Sequence, residues 1–210
     1  MTMTNRRDFL KQTPVLVAGG VLGSSILSGC GGGSSKGSVS NASSPKGDTD
    51  EIILNKGGEK MKLVVGSDHA GYALKAKILG EIEKMGHQIT DMGSYDENPV
   101  DFSDIAQKVC AMILNGEAQR GIMFCGTGVG AAIACNKILG IRAAVCHDIY
   151  SAHQCVEHDD VQVITMGAQI IGHSVALELI EKFLSATFST EEQFRRRVKK
   201  LEMMDTHRGQ

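Results

Sequence analysis

The chain has 210 residues, 42% of them apolar, with 22 basic against 24 acidic side chains, three tyrosines, six phenylalanines and no tryptophan. A formal net charge of −2 excludes a general polyanion binder, and so few aromatic rings leave no stacking platform for single-stranded nucleic acid. Six cysteines with no Cys-x-x-Cys pair argue for buried or reactive thiols and against a disulfide framework.

Residues 1–30 read as an export signal. Arg6-Arg7-Asp8-Phe9-Leu10-Lys11 resembles a twin-arginine motif and leads into an apolar stretch, Pro14 to Leu27, that is too short and Gly-rich for a spanning helix. The stretch closes on Leu27-Ser28-Gly29-Cys30, which resembles a lipoprotein cleavage box. The expectation is a lipid on Cys30, a mature chain beginning there, and a protein anchored to a membrane facing the periplasm or cell exterior. Translation from Met61 would instead leave a cytoplasmic protein. Residues 31–60 are rich in Gly, Ser and Asn, cannot bury a core and read as a flexible tether. Residues 61–210 then form one domain of comfortable size.

From residue 62 apolar runs alternate with helical periods. Strands are predicted over 62–66, 88–92, 121–125, 141–146 and 161–166. Helices are predicted over 72–85, 103–114 with Ser103 as N-cap, 130–139, 150–157, 174–184 and 191–203. Near-continuous apolar strands alternating with helices predict a doubly wound, five-stranded parallel sheet in a three-layer αβα sandwich, closed by a C-terminal helix. Ligands gather beyond the carboxyl ends of such strands. Asp68-His69, Asp101, the Cys125 loop and His147-Asp148 all fall there.

Cys125-Gly126-Thr127-Gly128-Val129-Gly130 ends the third strand and opens a helix. Its backbone N–H groups converge on one point and can seat an oxyanion. A cysteine at that mouth feels the positive helix end, which predicts a lowered pKa and a thiolate. The glycine spacing is tighter than a dinucleotide fingerprint, and Ala131 stands where a cysteine phosphatase needs an arginine. The basic run Arg195-Arg-Arg-Val-Lys-Lys200 reads as a solvated helix face and not as a nucleic-acid patch. The His/Asp pairs at 147–148 and 158–160 lack metal-ligand spacing.

Gly66-Ser-Asp-His-Ala-Gly71 together with the Cys125–Gly130 loop resembles the type B ribose-5-phosphate isomerase family, which includes the galactose-6-phosphate isomerase subunits. Asn136-Lys137, Gly140-Ile-Arg-Ala-Ala144, Tyr150-Ser-Ala152 and His158 extend the resemblance to about Met203. It implies a Rossmann-like fold, a homodimer or homotetramer with sites between subunits, no metal or cofactor, and aldose–ketose isomerisation of a sugar or sugar phosphate. By the same resemblance Cys125 is the base, Thr127 a hydroxyl beside it, and Gly126, Gly128, Val129 and Gly130 the seat of the enediolate oxygen. His158 opens the sugar ring, and Asp68 and His69 contact sugar and phosphate. The chain departs from the family pattern where arginines hold phosphate. Gln169 and Gln193 stand at two such positions, Arg197 is retained, Asp159 replaces an asparagine, and Asp101-Phe102-Ser103 replaces Asp-Tyr-Pro. The departures and the expected export favour an unphosphorylated or modified sugar. The alternative is a catalytically weak sugar-binding lipoprotein on the same fold.

Overall fold

The computed structural model describes residues 60–206. The expected signal, Cys30 and the tether up to residue 59 lie outside the described residues. Five parallel strands run β1 (Lys62–Ser67), β2 (Gln88–Asp91), β3 (Arg120–Cys125), β4 (Ala143–Val145) and β5 (Val163–Gly167). They lie side by side in the order β2-β1-β3-β5-β4. Six helices alternate with them and follow them: α1 (Tyr72–Lys84), α2 (Phe102–Leu114), α3 (Val129–Cys135), α4 (Ile149–Asp159), α5 (His173–Ser185) and α6 (Glu192–Thr206). The predicted doubly wound α/β sandwich is the observed one.

Strand residues alternate between two cores. Leu63, Val65, Ile122, Phe124, Ile164 and Met166 face α1, α4 and α5, through Ile78, Val156 and Leu179 among others. Val64, Met123, Cys125 and Val163 face α2 and α3, through Ile105, Val109 and Ala131. The central strands are therefore apolar on both faces, which is why they read as continuous apolar runs.

Three of the boundaries that differ from expectation do so for a clear local reason. Helix α2 begins one residue before Ser103, and Asp101 in extended conformation is its N-cap. Helix α3 stops at Cys135 and not at residue 139. The Asn136 amide donates to the carbonyls of Ala132 at 2.9 Å and Ala143 at 2.8 Å and accepts from the Ala143 N–H, so it ends the helix and ties it to β4. Strand β4 is only three residues long, an edge strand paired with β5 alone.

Lys75 lies on the apolar face of α1 and is 1% exposed. Its ammonium donates to Asp91 Oδ1 at 2.6 Å, Asp91 Oδ2 at 2.8 Å and the Ser94 carbonyl at 2.7 Å. The pair fastens α1 to the end of β2. Asp91 retains more contact with water, its side chain being 25% exposed against 1% for Lys75. Losing Asp91 therefore strands a buried cation, whereas losing Lys75 leaves a carboxylate that water can reach. Urea denaturation should show Asp91→Ala costing about 3–5 kcal/mol, with Lys75→Met costing clearly less. Equal losses would contradict this asymmetry.

Candidate active site

The order β1-β3-β5 brings three strand ends together at the carboxyl edge of the sheet. Cys125 is the last residue of β3 and is 7% exposed. Asp68 follows β1 and is 4% exposed. Its N–H donates to the Phe124 carbonyl at 3.2 Å, and its Oδ1 accepts from the Gly71 N–H at 2.9 Å. A Cβ on Gly71 would lie 2.4 Å from the Phe124 carbonyl, so the β1–α1 turn rests directly on the end of β3. That seating puts the Asp68 carboxylate beside the Cys125 thiol, close enough to act on its ionisation.

The electrostatics of Cys125 correct the sequence expectation. Burial pushes the thiol up from its ordinary pKa, and the hydrogen bond and negative charge of Asp68 push it the same way. The N–H groups of Gly128 and Thr127 pull it down without overcoming the rise. Cys125 rests as a thiol, because desolvation and a neighbouring carboxylate outweigh two amide dipoles.

The loop is built as the sequence suggests. Gly128 has φ 78°, a left-handed turn that sets the N-cap of α3. Its carbonyl accepts from Thr165 Oγ1 at 2.9 Å. Thr127 is exposed, and its Oγ1 accepts from the Val129 N–H at 3.4 Å. The Phe102 ring covers Gly130, close enough that a Cβ there would sit 3.1 Å from it. Gln169 joins the site: its N–H donates to the Gly126 carbonyl at 3.0 Å and its side chain lies over Gly126. His69 is exposed at the same edge, with Nδ1 accepting from the Val100 N–H at 3.3 Å. His147 and Asp148 serve the scaffold. His147 Nε2 accepts from the Gly167 N–H at 3.0 Å, and Asp148 caps α4 through Ser151.

The remaining candidates do not join Cys125 within one chain. Helix α4 leaves the carboxyl edge at Asp148 and returns to the amino edge, so His158 and Asp159 sit roughly a strand length, ~15 Å, away. The His158 ring stacks on Phe194 of α6 with centroids 3.9 Å apart. The Arg197 guanidinium lies 5.6 Å from the same ring. Gln193 donates to Glu191 Oε2 at 2.7 Å, and Arg195 lies over Phe188. Asp68, His69, Cys125, Thr127 and Gln169 thus form one group, and His158, Asp159, Gln193 and Arg197 gather on α4 and α6 as another.

Sequence reading missed the Asp68–Cys125 contact, which needs the strand order to be seen. It also missed Lys75, although a lysine between Leu74 and Ile78 on an apolar helix stripe is a signal of a buried charge.

The ribose/galactose isomerase family model matches residues 63–201. A ribose-5-phosphate isomerase B of Listeria innocua is 42% identical over 129 residues, covering 61% of this chain and 87% of that protein. A D-erythrulose-4-phosphate isomerase of Pectobacterium atrosepticum is 42% identical over 131 residues, 61% of this chain and 85% of that one. Among solved structures, ribose-5-phosphate isomerase B of Clostridium thermocellum superposes with a TM-score of 0.68 at 38% identity, covering 70% of this chain and 98% of that one.

The raised thiol gives a measurable sign. Iodoacetamide alkylation of Cys125, followed against pH, should rise with a midpoint above the ordinary thiol value of about 8.5. Asp68→Asn keeps an acceptor for the Gly71 N–H but removes the charge, and should move that midpoint to lower pH. An unchanged or higher midpoint would show that Asp68 does not act on the thiol.

Proposed function

The chain belongs to the ribose/galactose isomerase family, a sugar-phosphate isomerase by kind, and from that premise we propose that it interconverts an aldose and a ketose through an enediolate with Cys125 as the base. The observation that carries the reading is a single buried thiol held between Asp68 and the amides of the 126–130 loop. Cys125 as thiolate takes the proton from C2 of the open-chain aldose and returns it to C1. The enediolate oxygen rests against the loop N–H groups, with Thr127 beside it. A raised pKa leaves little thiolate at neutral pH but makes that thiolate a stronger base. The rate then grows with pH until the thiol has titrated. Replacing Cys125 by Ala should abolish exchange of solvent deuterium into the sugar while sugar binding stays measurable. Exchange at the wild-type rate would remove Cys125 from the role.

The working unit in this reading is a homodimer, or a tetramer of such dimers. Two observations support it. His158 and Arg197 sit a strand length from Cys125, so a second copy is needed to bring ring opening and anion binding to the thiol. Val129, Ile133 and Val145 are exposed on α3 and the edge strand β4, around a cavity of about 410 Å³ immediately beside the Cys125 loop. Mixing inactive Cys125→Ala and His158→Ala proteins tests the arrangement. Statistical re-pairing leaves one intact site in half of the dimers, so activity should recover to about one quarter of wild type. No recovery despite subunit exchange would place the site within one chain.

The substrate in this reading is less anionic than a pentose 5-phosphate. Gln169 lies over Gly126 where a guanidinium would meet phosphate, Gln193 is turned onto Glu191, and Arg195 is turned onto Phe188. A charge-assisted contact is worth roughly 1.5–3 kcal/mol, so two losses cost on the order of 10²–10⁴-fold in affinity. A panel of free and phosphorylated aldoses should show better kcat/KM on an unphosphorylated or modified sugar. Gln169→Arg with Gln193→Arg should move the preference toward phosphate. Efficient turnover of ribose 5-phosphate by the wild type, with free sugars ignored, would reverse this assignment. Lipid on Cys30 belongs to the same proposal, since sugar phosphates are scarce outside the cytoplasm. Mass spectrometry of the membrane fraction reads it directly.

A further inference from the structure

Thr165 is the one polar side chain of β5, set among Val163, Ile164 and Met166, and it is 0% exposed. A hydroxyl buried in an apolar strand costs free energy unless it is hydrogen-bonded. Thr165 Oγ1 donates to the Gly128 carbonyl at 2.9 Å, and the Ala144 carbonyl, at 3.4 Å, is the more distant acceptor. The rest of the Cys125 loop is tied to the same strand and its turn. The Cys125 carbonyl accepts from the Ala168 N–H at 2.8 Å, and the Gly126 carbonyl accepts from the Gln169 N–H at 3.0 Å. A Cβ on Gly167 would lie 2.8 Å from the Thr127 carbonyl carbon, and one on Gly128 would lie 3.0 Å from that of Met166. Loop and strand therefore touch backbone to backbone. In a planar trans peptide the N–H points opposite to the C=O. Three carbonyls drawn onto β5 and its turn thus face the N–H groups of Gly126, Thr127 and Val129 away from it. Two of these grips come from backbone amides. The third, on Gly128, comes from the Thr165 side chain, and Gly128 at φ 78° has no Cβ of its own to hold its conformation.

We propose, resting on the isomerase reading above, that Thr165 is a positioning residue of the anion seat: its hydroxyl holds the Gly128 carbonyl and so keeps the amides on either side of Gly128 aimed at the enediolate oxygen. Without that grip Gly128 can leave its left-handed turn, and the amides from Thr127 to Val129 lose their common direction. Two effects follow. The enediolate exists only during turnover, so its weaker stabilisation lowers kcat and leaves KM nearly unchanged. The Cys125 thiol loses the downward pull of the Gly128 and Thr127 N–H groups, while burial and the Asp68 charge continue to push it up. Its titration then moves to higher pH. A role in packing alone has the opposite sign, because a loosened core admits water to the thiol and lets it fall toward its ordinary value.

The test compares the full chain with Thr165→Val, which keeps the shape and removes the hydroxyl, and with Thr165→Ser, which keeps the hydroxyl. Iodoacetamide alkylation of Cys125 is followed against pH, and kcat and KM are measured on whichever of D-ribose and ribose 5-phosphate the wild type turns over better. Thr165→Val should raise the alkylation midpoint. It should lower kcat on the order of tenfold, short of the ~10²–10³-fold cost of deleting an oxyanion donor outright, with KM changed less than about twofold. Thr165→Ser should return both readings toward wild type. An unchanged midpoint and kcat in Thr165→Val overturns the proposal, and so does a midpoint that falls. If neither sugar is turned over, the isomerase reading fails separately and the midpoint alone decides on Thr165. Where Thr165→Val does not fold, the wild type decides: the Thr165 hydroxyl proton should exchange slowly enough to be resolved by NMR, and its loss to fast exchange overturns the grip on Gly128.

Discussion

No side chain fits at position 71, because the β1–α1 turn sits on the last peptide of β3. The chemistry at the carboxyl edge follows from that seating. The turn is fixed by the Asp68 N–H on the Phe124 carbonyl and by the Gly71 N–H on the Asp68 carboxylate. A turn held farther out would remove the Asp68 charge and leave burial alone to hold the thiol up against the loop amides. Held where it is, Asp68 adds to the rise that burial of the thiol causes. The same carboxylate is therefore both a buttress of the fold and, after burial, the second cause of the raised Cys125 thiol.

Asp68 is buried without a cation. Among the described residues no basic side chain pairs with it, in contrast to Asp91, which has Lys75. A carboxylate so placed has one observed amide donor, with the Cys125 thiol beside it. In the proposed reaction a sugar hydroxyl completes its shell, so substrate binding relieves a desolvation cost already present in the free protein. Charge then grows on the enediolate, close to a fixed negative charge. In that reaction the loop amides would have to outweigh the repulsion, and the left-handed turn at Gly128 sets their direction.

The fold was legible because its signals are redundant. Five apolar runs alternate with amphipathic helices, and the loss of one boundary, as at Ser103 or at the end of α3, changes nothing in the topology. The site was legible only where chemistry and chain position coincide, as in Cys125-Gly-Thr-Gly-Val-Gly. The thiol's state was not, because it depends on which strand lies beside β3. Periodicity along one chain does not report that β1, 57 residues back from Cys125 at Asp68, is the neighbour. The sign of a pKa shift is a tertiary property, and a local motif supplies one of its contributions, here the smaller one. Lys75 failed for a different reason: its partners, Asp91 and the Ser94 carbonyl, come from the next strand and its loop.

Helix α4 explains why His158 and Cys125 lie apart within one chain. A right-handed crossover must return the chain to the amino edge before the next parallel strand begins. A residue at the end of such a helix is therefore as far from the strand tips as the fold permits. His158 is such a residue, and its ring is already stacked on Phe194 beside Arg197. The stack holds an imidazole and a guanidinium together on one surface. The neighbouring positions carry no such preparation for an anion. Gln193 is satisfied by Glu191, whose carboxylate adds negative charge to the same helix start, and Asp159 adds another. In the proposed reaction an anionic sugar meeting that surface would face the carboxylates of Glu191 and Asp159, whereas a neutral sugar could hydrogen-bond to them. The geometry of the crossover thus makes a second subunit necessary to the proposed site. In the proposed reaction the charges on α4 and α6 would make any weakening of phosphate binding a property of the whole surface and not of a single substitution.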